Sequence, residues 1–314
     1  MSSLENNNIK NLEVYQTKEY YKNLREKCML LKNNQLKIGQ GLIKTFYPLL
    51  RPYKLEIYGE ENVPKDSKAL FVVNHSNSHD IFTAYEVLSK LQRTGSVMVA
   101  TDCLNPLTTE VFNISNATLL DRRVKEERKD SVLELSKKII DGNDGVIFGE
   151  STWNLHPTLP MHNIRQGSSK ISLISQVPVI PTIFEYIEEN GLFNSESKLY
   201  KKCVIVFGRP IMINYEEDLI TQTNRIKEEM ENIRKGIWES YNIKRSSINE
   251  IDPNEYINHT YLKKFKALGF TYDSEKEQEF LLFLENELKA NEYTMDENGN
   301  LVPGITEKNS KIIK

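Results

Sequence analysis

From residue 54 onward, short apolar runs alternate with longer stretches whose apolar residues recur every three or four positions. Residues 54–59 alternate apolar and polar side chains as a strand does, a turn through Asn62, Pro64 and Asp66 follows, and 69–73 is wholly apolar. An unbroken apolar run of that length predicts a strand covered on both faces. Further strands are expected at 96–100, 117–120, 145–148, 177–186 and 203–207. Helical spacing marks 81–91, 125–140 and 166–175, and a long charged helix over 216–241 closes the unit. Short strands alternating with amphipathic helices predict an α/β fold with a mainly parallel sheet flanked by helices, whose ligands lie beyond the strand ends.

Both ends of the chain differ from this pattern. Near the N-terminus Ile38, Leu42, Ile43, Phe46, Leu49 and Leu50 recur at helical spacing until Pro48 and Pro52 disturb it, and Gly39 and Gly41 weaken the helix. Between Glu26 and Glu56 there is no acidic residue, while Lys27, Lys32, Lys37, Lys44, Arg51 and Lys54 fall inside. An apolar face beside a basic one fits an interfacial helix drawn to anionic headgroups, and it equally fits an ordinary helix packed on the domain. Beyond about residue 246 the chain becomes polar and acidic, with one helical stretch at 274–290 and an Asn298-Gly299 turn. The expected organisation is an N-terminal amphipathic helical, membrane-associating segment over 1–53, an α/β domain over 54–245, and a small helical accessory segment with a frayed tail over 246–314.

Composition narrows the function classes. The chain has 314 residues, 39% hydrophobic, with 41 basic and 44 acidic side chains, so no strongly basic face points to nucleic acid. Cys28, Cys103 and Cys203 are odd in number and widely spaced, which implies neither a disulfide framework nor a zinc ribbon and favours a reducing cytosol. No leader with an apolar core and cleavage site is visible, and no run reaches the ~20 apolar residues that span a bilayer. These features predict a cytoplasmic protein, soluble or peripheral.

The chemistry begins at residues 71–80, where an apolar run breaks into a polar loop holding His75 five positions before Asp80. A strand ending at Val73 delivers His75 to the top of a sheet, and a carboxylate beside an imidazole fixes its tautomer and stabilises the imidazolium of a general base. Asp80 reads both as that partner and as a cap of the helix that follows. Glu150 follows a buried strand, a position that usually faces a site. Arg122 lies in a dense mixed-charge cluster over 121–130, so it reads either as an anion ligand or as part of a solvated ion-pair network. A competing reading takes His75, His79 and Asp80, with Glu150 and His156, as a metal site for hydrolysis, although no H-E-x-x-H or H-x-H pattern is present.

With these residues placed, the chain resembles the glycerolipid acyltransferase superfamily, typified by 1-acylglycerol-3-phosphate acyltransferase, over roughly residues 54–240. Asn74-His75-x4-Asp80 is similar to the family's first block, Leu119-Leu120-Asp121-Arg122 to the second, Phe148-Gly149-Glu150-Ser151-Thr152 to the third, and Val177-Pro178-Val179-Ile180-Pro181-Thr182 to the fourth. Gly167 and Phe207-Gly208-Arg209-Pro210 are similar to further landmarks. The resemblance implies that His75 is the base and Asp80 its partner, that Arg122 binds an acceptor phosphate, and that Glu150 helps to hold the acceptor. It implies direct transfer of a fatty acyl chain from acyl-CoA or acyl carrier protein to a hydroxyl of a lysophospholipid or related glycerolipid, with no acyl-enzyme and no cofactor or metal beyond the co-substrate. Ser151, Thr152, Trp153 and Arg165 complete the expected substrate-binding set. A lipid acceptor tips the basic N-terminal stretch toward a membrane surface, at its inner face.

The third block departs from the family's usual Phe-Pro-Glu-Gly-Thr-Arg. Gly149 and Ser151 replace Pro and Gly, and Trp153 stands where arginine is usual. An indole offers one N–H and a flat apolar face, which leaves open a phosphate-bearing acceptor, a lysophospholipid with another head group, a sugar lipid or a hydroxylated envelope precursor. Arg122, Arg123 and Arg165 still offer guanidinium forks for an anion. A non-catalytic lipid-binding relative is the remaining alternative, and such a scaffold has no chemical reason to keep both His75 and Asp80.

Overall fold

The computed structural model describes residues 18–30, 38–51, 53–102, 104–154, 159–187, 201–243, 273, 275–279, 282–283, 286, 293–295 and 301–303. Two helices, α1 (Lys18–Leu30) and α2 (Ile38–Leu50), precede β1 (Lys54–Tyr58). Then follow β2 (Leu70–Val73), α3 (Asp80–Lys90), β3 (Gly95–Ala100), α4 (Pro106–Ile114), β4 (Thr118–Leu120), α5 (Lys125–Ile140) and β5 (Asp144–Phe148). The unit ends with α6 (Gly167–Ser175), β6 (Val179–Ile187), β7 (Lys202–Phe207) and α7 (Leu219–Ser240). Every strand expected from the apolar runs forms, with bounds shifted by a few residues.

The seven strands make one sheet in the order β1-β7-β6-β2-β5-β3-β4. All neighbouring pairs are parallel except β6 with β7. The two faces carry separate cores. Phe71, Val73, Val97, Val99, Val146 and Phe148 meet Ile43 and Tyr47 of α2, Ala84, Tyr85 and Leu88 of α3 and Phe112 of α4. On the opposite face Leu70, Val72 and Ile147 meet Tyr21 of α1, Leu135 of α5, Ile171 of α6 and Ile226 of α7. This is why residues 70–73 and 145–148 read as apolar runs: every residue of β2 and β5 is buried, so neither face is left to solvent.

Three local outcomes differ from the sequence pattern. First, α2 continues through Pro48 to Leu50. The missing N–H costs one helical hydrogen bond near the helix end, while burial of Ile43 and Tyr47 holds the face. Gly39 is required there, because a Cβ would overlap Ser115, and the close approach lets Gln40 Nε2 donate to the carbonyls of Gly95 and Ser115 at 2.7 and 2.9 Å. Second, α4 was not foreseen, although Asn105 caps it by accepting from Thr108 N at 2.9 Å and Pro106 opens it. Third, the accessory segment is not helical throughout. Short strands β8 (Tyr293–Met295) and β9 (Leu301–Pro303) pair antiparallel, on either side of the Asn298-Gly299 position, which itself lies outside the described residues.

The N-terminal ends of the central strands are clamped together. Asp144, wholly buried, accepts from Arg93 Nε and Nη2, both at 2.7 Å, and from Ala69 N at 2.9 Å. Arg93 also donates to the carbonyls of Pro64 and Ser67. Asp144→Ala strips a bidentate partner from a largely buried guanidinium and orphans a backbone N–H. The expected loss of stability in urea denaturation is about 3–5 kcal/mol, against a change within about 0.5 kcal/mol for an exposed control such as Glu61→Ala.

Candidate active site

The opposite, C-terminal ends of four adjacent strands build the site. β2 ends at Val73 and releases Asn74, which is fully buried and imitates one more strand residue: its Nδ2 donates to Phe184 O at 3.0 Å and its Oδ1 accepts from Phe184 N at 2.7 Å. With Asn74 fixed, the chain turns and presents His75. His75 Nδ1 lies 2.8 Å from Asp80 Oδ2. The same carboxylate oxygen accepts from Ser76 N and Asn77 N, both at 2.8 Å. Asp80 therefore does not cap the helix it opens, since the N–H groups it receives precede it; the N-cap position falls to His79, whose side chain makes no cap bond.

β5, paired with β2 so that Val73 sits opposite Phe148, supplies the floor. The His75 ring stacks on Phe148 with centroids 4.3 Å apart and meets Trp153 edge to face at 5.5 Å. Asp80 occupies Nδ1, so Nε2 is the ring atom available to a substrate. After Phe148 the chain makes a tight turn in which Ser151 has φ of +61°, a conformation that favours glycine and the one position of the third block where the family's usual residue is Gly.

Glu150 does not face the cleft. Its two oxygens accept from His75 N at 3.0 Å and His162 N at 2.6 Å, so it ties the His75 loop to the segment around His162. Burial drives its carboxyl from an ordinary 4.5 up to about 7, against the charge of Arg234 and those two backbone bonds. The expectation that Glu150 contacts an acceptor is replaced by a role under the loop, because the side chain is 1% exposed and is not among the residues that line the cleft.

β3 and β4 supply the side that carries Arg122. Arg122, just past β4, is buried. Its Nε donates to Asp102 Oδ1 and Oδ2, each at 3.1 Å, its Nη2 to Asp102 Oδ2 at 2.7 Å, and its Nη1 to Ser151 O at 2.7 Å. Nη2 and Nη1 also reach Glu277 Oε1 and Oε2 at 2.5 and 3.2 Å, and Thr152 Oγ1 donates to Glu277. Burial opposes the charge on Arg122, but the bonds to Asp102 and Glu277 outweigh it and hold the guanidinium above its ordinary range. Arg122 is thus a buried node and not part of a solvated surface network. Arg123 pairs with Asp121 at 2.7 Å on the outside.

The cleft is lined by His75, Ser78, Arg122, Ser151, Thr152, Trp153 and Glu277, with an apolar wall from Ile81, Met98, Val99, Leu104, Leu120, Ile147 and Phe148. Arg165 is not among the lining residues; its backbone N–H donates to Gly149 O at 3.1 Å. His156 lies outside the described residues. His79 turns Nδ1 toward Tyr47 Oη at 3.0 Å, and among the described residues no three His, Cys, Asp or Glu side chains gather as a metal-binding group. Sequence reasoning missed Asp102 and Glu277. Asp102 follows a strand end, the same signal that marked Glu150, whereas Glu277 is 155 positions from Arg122 and carried no signal.

Residues 54–185 match the family model described as Acyltransferase, a span that contains His75, Asp80, Arg122 and the turn at Glu150. Residues 54–185 of this chain therefore carry an acyltransferase domain. Among solved structures, that of the 1-acyl-sn-glycerophosphate acyltransferase PlsC from Thermotoga maritima is similar at 18% identity and a TM-score of 0.48, covering 71% of this chain and 90% of that one. A search of curated proteins finds no match. In the acyltransferase described here the first three blocks arrive at neighbouring strand ends because β2, β5, β3 and β4 are neighbours in the sheet.

The raised pKa of Glu150 makes stability depend on pH. A carboxyl that holds its proton more tightly when folded contributes stability fully present below about 4.5 and lost as pH rises through about 7. Glu150→Gln removes this titration. The difference in unfolding free energy between wild type and variant should change by about 1–3 kcal/mol across that window and stay flat above it, as read by urea titrations at pH 4.5 to 8.

Proposed function

We propose that the protein transfers a fatty acyl chain from an acyl thioester, acyl-CoA or acyl carrier protein, directly to a hydroxyl of a lysophospholipid or related glycerolipid. The observation that carries this reading is the 2.8 Å pair of His75 Nδ1 and Asp80 Oδ2 at the mouth of an apolar-walled cleft. In the reaction Nε2 takes the proton of the acceptor hydroxyl as its oxygen attacks the thioester carbonyl. The tetrahedral intermediate collapses with cleavage of the C–S bond, and the imidazolium returns the proton to the departing thiolate. Asp80 holds the tautomer and offsets the imidazolium charge, and the apolar wall receives the acyl chain. A thioester is already a reactive donor, so alignment and one positioned base are the main requirements.

The same reading gives α2 a purpose. Its inner face is buried through Ile43 and Tyr47, while Ile38, Leu42, Phe46, Leu49 and Leu50 are exposed, as are Leu107 and Val111 of α4, the helix that packs against it. Leu49 and Leu50 are 79% and 77% exposed, and a contiguous apolar strip of this kind marks a docking surface. No helix among the described residues is long and apolar enough to cross a membrane. In this reading the exposed apolar residues serve as a peripheral anchor on the cytoplasmic face of the bilayer, with half-buried Lys44 on the same helix and Lys37, outside the described residues, just before it in sequence.

Two experiments test these statements. With labelled acyl-CoA or acyl carrier protein and a mixed lysolipid acceptor, His75→Ala should lower kcat by about 100- to 10,000-fold with an unchanged circular dichroism spectrum; equal turnover by both proteins would remove His75 from the chemistry. For the anchor, Leu42→Glu/Phe46→Glu should reduce co-sedimentation with anionic vesicles at least tenfold, since burial of each apolar side chain is worth about 1.5–3 kcal/mol. Undiminished sedimentation would assign the strip another role.

A further inference from the structure

The polar end of the cleft contains one guanidinium facing two carboxylates. Arg122 spends all three nitrogens on Asp102, Ser151 O and Glu277, leaving the group with a net negative charge. Glu277 comes from beyond the span that matches the acyltransferase family model, yet its side chain is only 12% exposed, lines the cleft and is received by Thr152 as well as Arg122. A phosphate monoester of about −1.5 to −2 charge entering this space would meet a fork already filled by carboxylate oxygens in the bidentate manner that phosphate itself would use. Trp153, where the third block usually carries arginine, adds no charge and sets its indole edge to face with His75 at 5.5 Å.

We propose, resting on the acyl-transfer reading above, that the acceptor carries an uncharged polyol head group and that Glu277, with Asp102, sets this preference by filling the Arg122 fork. Ionised carboxylates only accept hydrogen bonds, so Glu277 is chemically matched to hydroxyl donors and mismatched to phosphate oxygens. Trp153 supplies the flat apolar surface on which the C–H face of a sugar or glycerol rests. One hydroxyl of such a head group goes to His75 Nε2 and its neighbours go to Glu277 and Thr152.

The test compares 1-acylglycerol-3-phosphate with 1-monoacylglycerol and a monoacyl glycosylglycerol, presented in the same neutral micelles with one labelled acyl donor, for wild type, Glu277→Gln and Glu277→Ala. Wild type should favour an uncharged acceptor over the phosphate acceptor at least tenfold in kcat/KM. Glu277→Ala should shift that ratio at least tenfold toward the phosphate acceptor, chiefly through KM, with Glu277→Gln in between. A wild type that prefers the phosphate acceptor overturns the proposal. So does an unchanged ratio in Glu277→Ala, and so does a uniform rise for every acceptor, which would make Glu277 a simple obstruction. If no acceptor is acylated, the acyl-transfer reading is what fails; calorimetric titration of short-chain 1-acylglycerol-3-phosphate and 1-monoacylglycerol into wild type and Glu277→Ala then decides the head-group preference without turnover. Tighter wild-type binding of the uncharged lipid supports the proposal, and tighter binding of the phosphate lipid overturns it.

Discussion

A single carboxylate oxygen, Asp80 Oδ2, accepts from His75 Nδ1, Ser76 N and Asn77 N, all at 2.8 Å. Three donors on one buried, charged acceptor are each stronger than neutral hydrogen bonds, and together they leave the loop one conformation. The imidazole is consequently fixed in tautomer and direction before any substrate arrives. Catalysis by alignment needs this preorganisation, because a base free to rotate would lose the advantage of proximity. Two further ties complete it: Asn74 locks the loop's entry to β6, and Glu150 receives the His75 N–H from β5.

The loop is also held from below. Tyr47 of α2, Tyr53 before β1, Thr83 of α3 and Tyr186 of β6 form a buried chain of hydroxyls, with Tyr47 to Tyr53 at 2.5 Å, Tyr53 to Thr83 at 2.7 Å and Thr83 to Tyr186 at 3.2 Å. Burial pushes the phenols of Tyr47, Tyr53 and Tyr186 well above their ordinary range, so they remain neutral donors that each need a partner. Tyr47 also reaches His79, the residue before Asp80. The helix bearing the exposed apolar residues is thereby joined to the loop of His75 and Asp80 through satisfied polar contacts, a more directional coupling than apolar packing alone provides.

The polar end of the cleft is organised around one buried guanidinium. Arg122 lies just past β4, and its Nη1 donates to the Ser151 carbonyl of the left-handed turn. Its remaining donors are turned over to carboxylates of Asp102 and Glu277. A guanidinium so placed organises the turn whether or not it also meets substrate.

His75 and Asp80 were legible in the sequence because they are five positions apart and follow a run that can only be a doubly covered strand; local geometry brings them together. The α/β class was legible for the same reason, since unbroken apolar runs and helical spacing report burial directly. Glu150 was placed at the right strand end but given the wrong direction, because the path of a turn depends on which backbone N–H groups surround it. Asp102 and Glu277 needed the fold: strand order makes β3 and β4 neighbours, and packing brings residue 277 onto Arg122. The sequence by itself determined the strands of the sheet, the pairing of His75 with Asp80 and the amphipathic character of α2. Only the tertiary structure decided which face of α2 is left exposed and what fills the Arg122 fork, because both depend on contacts between segments far apart in the chain, whose pairing no local pattern encodes.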